Sequence, residues 1–123
     1  MAKDKIVLST RLGYPDLMLM INGVRVYPQY SQGVRNHSPD GFQCGYGGSG
    51  PAQAALAILL FKTSKELAQK HYQAFKWEFV ARWRADTAYE VDISQWLEIQ
   101  EQIDEEERRI TLDDGNSHNS SSE

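Results

Sequence analysis

Gly45-Tyr46-Gly47-Gly48-Ser49-Gly50-Pro51 runs straight into Ala52-Gln53-Ala54-Ala55-Leu56-Ala57-Ile58-Leu59-Leu60-Phe61. The second half is apolar on nearly every side apart from Gln53. That pattern predicts a helix from Pro51 to about Phe61, buried all round at the centre of the fold. Pro51 suits a first helical position, because its φ is already helical and its missing N–H would have had no partner. The first half brings backbone N–H groups into the opening turn of that helix, at the positive end of its dipole. Two readings stand side by side. The junction holds an anion, or its glycines only let the chain turn and pack closely. Gln53, the lone polar residue of the apolar run, is expected to hydrogen-bond the loop backbone.

On the N-terminal side, Lys5 to Leu12 is β-prone and Gly13-Tyr14-Pro15-Asp16 punctuates it. Leu17-Met18-Leu19-Met20-Ile21, Asn22-Gly23 and Val24-Arg25-Val26-Tyr27 then read as a hairpin. Asn-Gly between apolar runs suits a type I′ turn, which needs φ > 0 at both central residues. Pro28 cannot donate to a ladder and ends that strand. Tyr30 to Gly50 is rich in Gly, Asn, Ser, Pro and Asp and reads as irregular. Within it Ser38-Pro39-Asp40-Gly41 fits a β-turn, and Phe42-Gln43-Cys44 suits a short strand.

On the C-terminal side, Thr63-Ser64-Lys65-Glu66 reads as a capping box with Thr63 as the cap. The helix behind it carries Leu67, His71/Tyr72, Phe75, Phe79/Val80 and Trp83 at helical spacing, with Lys65, Lys70, Lys76 and Glu78 on its solvated face. Thr87-Ala88-Tyr89-Glu90-Val91 is a further strand. A third helix begins near Asp92 with Trp96, Leu97, Ile99 and Ile103 as its stripe. From Leu112 to Glu123 there is almost nothing apolar to bury, which predicts a disordered polar tail behind a single domain over residues 1–111.

The bulk properties narrow the function classes. With 123 residues the chain is long enough for one buried core. A net charge of −4 disfavours nonspecific nucleic-acid binding. The single Cys44 cannot form an internal disulfide. Ile6-Val7-Leu8 is too short for a signal-peptide core. Ala54 to Phe61 falls well short of the roughly 20 residues of a membrane span. The expectation is an intracellular soluble protein with no membrane attachment; the sequence is silent on oligomeric state.

Two segments carry a resemblance. They are Arg35-Asn36-His37-Ser38-Pro39-Asp40-Gly41-Phe42 and Gly45-Tyr46-Gly47-Gly48-Ser49-Gly50-Pro51-Ala52-Gln53 with the apolar run that follows. Together they resemble the core of a family of small uncharacterised proteins found in bacteria, archaea, phages and plasmids. Tyr72-Gln73-Ala74-Phe75-Lys76 resembles the same family's second-helix pattern. Cys44 departs from it, standing where a large aromatic is expected. The resemblance implies a setting on phages or other mobile elements and no established activity.

The candidate site is Arg35, Asn36, His37, Tyr46, Gly47, Gly48, Ser49, Gly50 and Gln53. Gly45-x-Gly47-x-x-Gly50 has the spacing of a dinucleotide fingerprint, but no βαβ unit surrounds it. Gly45 and Gly50 have Walker A spacing, but Pro51 and Ala52 occupy the Lys and Ser/Thr positions. What remains is a helix start with unpaired amides, and Arg35 able to fork onto a phosphate or carboxylate. If the loop folds back, Asn36 and His37 join a polar pocket beside Tyr46. The plainer alternative is that Asn36 and Ser38 bond the loop backbone and His37 simply packs. No two of His37, Cys44 and His71 share a metal-ligand spacing, so no metal and no cofactor are expected. Cys44 lacks an orienting partner as a nucleophile. Arg82-Trp83-Arg84 reads as helix-terminal cations, and the acidic run Glu98 to Glu107 as a solvated helix face.

These residues predict an α+β fold: a small antiparallel sheet packed against the central helix and the second amphipathic helix, with a third helix at the C-terminus. Trp77, Trp83, Phe75 and Phe79 are expected in its core. The expected function is non-enzymatic binding of an anionic or nucleotide-like ligand at the glycine loop. The alternative is a protein-interaction factor acting on a host protein, with the loop purely structural. No nucleophile–base–orienter set emerges for an enzyme.

Overall fold

The computed structural model describes the backbone of residues 3–121 and the side chains of residues 3–111. The chain divides into two compact units, Met1–Ile93 and Ser94–Glu123. The first is an α+β unit. Its strands β1 (Asp4–Ser9), β2 (Met18–Ile21), β3 (Val24–Val26) and β4 (Ala88–Val91) form one antiparallel sheet in the order β3-β2-β1-β4. Its helices are α1 (Pro28–Gln32), α2 (Ser49–Lys62) and α3 (Lys65–Glu78), followed by a 3₁₀ turn at Val80–Arg82. The final helix, α4, runs Ile93–Ser121.

The hairpin forms as the sequence dictates. Asn22 and Gly23 take φ of 52° and 80°, the left-handed pair of a type I′ turn. The register Ile6↔Ile21, Leu8↔Leu19 and Leu19↔Val26 places these residues on one buried face. Asp4 locks the turn from below: it accepts from Asn22 Nδ2 at 2.9 Å and pairs with Lys62 Nζ at 3.0 Å.

Every residue from Gly50 to Leu59 is buried. Together with the sheet face, Phe42, Phe75 and Val80, this segment makes the core. Leu56, Ile58 and Leu59 alone each contribute about 1.5–3 kcal/mol by leaving water.

Several elements differ from the sequence-based expectation. Helix α2 starts two residues earlier, at Ser49, so Pro51 is its third residue. That position tolerates proline equally, because all of the first-turn amides lack helical acceptors. The second helix is capped by Ser64, whose Oγ accepts from Leu67 N at 3.2 Å. Thr63 instead closes α2, its Oγ1 donating to Leu59 O at 2.7 Å. Pro28 opens a short helix rather than merely ending a strand. Phe42 contributes only an isolated bridge to Leu17. Trp77, expected in the core, is 59% exposed, whereas Lys76, expected in solvent, is 6% exposed. Trp83 is buried as expected and stacks on Tyr89.

Helix α4 carries i,i+3 ion pairs, Arg108–Glu105 and Arg109–Glu106, on a solvated face. Ile99, Ile103 and Ile110 are about half exposed. The side chains of the expected polar tail, from residue 112 onward, lie outside the described residues. No helix among the described residues is long and apolar enough to cross a membrane.

Candidate functional site

Gln53 sits in the first turns of α2, fully buried, and holds the preceding loop through its side chain. Its Oε1 accepts from the amides of His37 (2.7 Å) and Ser38 (2.9 Å). Its Nε2 donates to Ser31 Oγ (2.8 Å) and Arg35 O (2.9 Å). A primary amide has two donors and an acceptor oxygen, and here all are used. Gln53 therefore positions the segment 35–38 and does not itself face a ligand. These are the structural bonds to the loop backbone expected of it.

Behind Gln53, Gly41 N bonds Ser38 O at 3.1 Å, closing the expected turn over Ser38-Pro39-Asp40-Gly41. Helix α3 clamps the loop from the other side with two residues one turn apart. Tyr72 Oη meets His37 Nε2 at 2.5 Å, and Lys76 Nζ donates to Gly47 O at 3.0 Å. The i,i+4 spacing puts both side chains on one face of α3.

His37 is held below its ordinary value of 6.5, first by desolvation and then by the nearby charges of Arg35 and Lys76. The ring thus stays neutral near pH 7, and its Nε2 can accept the Tyr72 hydroxyl proton. The same shift shows that Arg35, His37 and Lys76 share one neighbourhood. None of the three has a carboxylate partner among the described residues. Arg35 and Asn36 are exposed, and Asn36 makes no hydrogen bond to the rest of the group.

The glycine loop lies against aromatic rings. A Cβ at Gly47 would run into the Trp77 indole, and one at Gly48 into the Tyr46 ring. A Cβ at Gly50 would come within 2.6 Å of Gln43 Cβ. Close packing therefore accounts for glycine at these positions. Tyr46 and Trp77 nevertheless remain 51% and 59% exposed, and Lys76 Nζ lies 4.3 Å from the Trp77 ring centre. At the helix start, Ala52 N bonds Gly48 O at 3.1 Å. Among the described residues no acceptor meets the amides of Ser49 and Gly50, although Gly50 is itself buried.

Sequence reasoning missed Lys76. Its signal was position: four residues after Tyr72 and next to Phe75, it lies on the apolar stripe of α3, where a lysine can bury its stem and bring its ammonium to a carbonyl. Burial and the nearby Asp86 charge push the Cys44 thiol up, which disfavours its thiolate.

The chain is a small α+β protein in which a glycine loop meets a buried helix, with Lys76 and Tyr72 of α3 bonded to that loop and to His37. The chain belongs to the family of unknown function (DUF6166), which it matches over residues 16–99. No curated protein and no solved structure matches it.

Proposed function

We propose that the junction of the Gly45–Gly50 loop with α2 binds a small phosphate-bearing ligand of nucleotide type. The observation that carries this reading is Lys76: a buried cation whose hydrogen-bond partner among the described residues is Gly47 O, with no carboxylate among them. A buried ammonium has three donors, and two of these are left for an anion. Arg35 and the free amides of Ser49 and Gly50 supply further donors of the same kind. The exposed Trp77 and Tyr46 rings on the loop offer faces on which a base can stack. Nothing in the group is built for bond-making, so the reading is capture rather than turnover.

A second reading rests on the glycines. Their close contacts with Trp77, Tyr46 and Gln43 give the loop a structural reason to exist without a ligand. The exposed aromatics would then serve recognition of a protein, which on a mobile element would be a host protein.

Thermal unfolding separates the two. AMP and cyclic AMP should raise Tm by several degrees at saturating concentration, since ligand at 100 times Kd adds about 2.7 kcal/mol. Adenosine, lacking phosphate, should not. Lys76→Met keeps the buried stem and should abolish the rise; Arg35→Ala should reduce it. If no phosphorylated compound moves Tm, the capture reading is wrong and the recognition surface takes its place.

A further inference from the structure

The free edge of the sheet carries a second feature, remote in sequence from the glycine loop. Among the described residues strand β3 is outermost, paired only with β2. The two-residue turn makes Ile21↔Val24 a hydrogen-bonded pair, and pairs alternate along an antiparallel ladder. Leu19↔Val26 is then hydrogen-bonded too, and Met20↔Arg25 is not. The N–H and C=O of Arg25 therefore point outward from the edge.

A groove of about 390 Å³ is lined by Arg25, Val26, Tyr27, Tyr30 and Phe61. Successive residues of a strand face opposite sides. Arg25 and Val26 face opposite sides of β3, so a groove lined by both, and by Tyr27 just beyond the strand, lies along its open edge. Its far wall is Tyr30 of α1, fixed by its hydroxyl donating to Leu60 O at 3.1 Å, and Phe61 of α2. Tyr27 and Tyr30 are each about half exposed.

The groove also holds an uncompensated cation. The Arg25 guanidinium lies 4.3 Å over the Tyr27 ring. Its Nε is buried without a hydrogen-bond partner, and no acid among the described residues pairs with it. No acidic residue among the described residues lines the groove.

We propose that this edge takes up a short extended peptide as a fifth strand, with apolar side chains among Tyr27, Tyr30 and Phe61 and a carboxylate on Arg25. Main-chain pairing with Arg25 provides the anchor, and the aromatic groove and guanidinium provide the selection. The footprint is short, because the Asn22-Gly23 turn ends the strand on one side and Pro28 removes the donor on the other. A second copy of this chain is a poor occupant. With Arg25 the one residue of β3 itself offering outward groups, a two-fold pairing of β3 with itself would set two guanidiniums side by side, and like charges directly opposite destabilise a ladder.

The probe is the blocked peptide Ac-Thr-Phe-Glu-Phe-Thr-amide, followed by ¹⁵N–¹H NMR on the full chain. The expected result is a saturable shift of the Arg25 amide, accompanied by Tyr27 and Tyr30. Replacing Glu by Gln, or methylating the Glu nitrogen, should each weaken binding roughly tenfold, the worth of one good hydrogen bond. Arg25→Met should bind the Glu and Gln peptides equally. An Arg25 amide that does not move, or an N-methylated peptide that binds as well as the parent, overturns the proposal. So does an Arg25 amide whose protection from exchange is lost on dilution, which would assign the edge to self-association.

Discussion

Gln53→Ala will strongly destabilise the first unit. It removes four hydrogen bonds at once, to His37 N, Ser38 N, Ser31 Oγ and Arg35 O. Each is worth about 0.5–1.5 kcal/mol, and buried partners left unpaired cost more. The expected loss is about 3–5 kcal/mol, a large share of the roughly 5–15 kcal/mol that holds a domain together. Gln53→Glu should not rescue it. A carboxylate still accepts from the two amides but has no N–H for Arg35 O, and a buried charge adds its own penalty. Urea unfolding measures both. A loss under about 1 kcal/mol for Gln53→Ala would show that the segment 35–38 is held by something other than this side chain.

Gly41→Ala follows at about 2–4 kcal/mol, combining backbone strain with a steric conflict. Gly41 has φ of +110°, a region L side chains rarely enter. A Cβ there would stand 2.8 Å from both Cβ and Cγ of Asp16. Asp16 has little room to retreat, because its carboxylate is tied to Arg11 at 2.6 Å and is largely buried. The next residue, Phe42, is fully buried and accepts from Leu17 N at 2.9 Å, so the strain cannot be passed along the chain. Gly33→Ala is the matched control. Its φ is −67° and the new Cβ would meet only Gln29 O at an ordinary 3.7 Å. It should change stability by no more than about 0.5 kcal/mol in either direction. Equal effects at the two glycines, in Tm or urea midpoint, would contradict this account of the Asp16 contact.

The readable parts of the sequence were those where a local rule faces no competitor. Asn22-Gly23 has few alternatives to a type I′ turn, and the apolar run after Gly50 has nowhere to go but inside. Ser38-Pro39-Asp40-Gly41 closed its turn for the same reason. Errors arose where two local rules offered adjacent answers. Thr63 and Ser64 can each cap a helix. The chain uses Ser64 for α3 and spends Thr63 on the end of α2. Pro28 can end a strand or open a helix, and it opens one.

The exchange of Lys76 and Trp77 has a tertiary cause. Residue type argues that tryptophan goes inside and lysine outside. The register of α3, set by Tyr72 and Phe75, turns position 76 inward instead, and Gly47 O is there to receive the ammonium. Trp77 is left to lie over the glycine loop. For the site, the sequence showed that Gln53 would bond the loop and that Arg35 and His37 lay within reach. That the fourth polar group comes from α3 was signalled only by the position of Lys76, four residues after Tyr72 on the apolar stripe.

In the proposed capture function the free amides at the start of α2, with Lys76 and Arg35, form an anion site. One NMR titration of the ¹⁵N-labelled chain with AMP tests it most directly. The amides of Ser49 and Gly50 should shift saturably, and the His37 imidazole, held below 6.5 in the free protein, should titrate at higher pH once a negative charge sits beside it. Ser49 and Gly50 amides that stay fixed at saturating AMP, with the His37 titration unchanged, would contradict the claim.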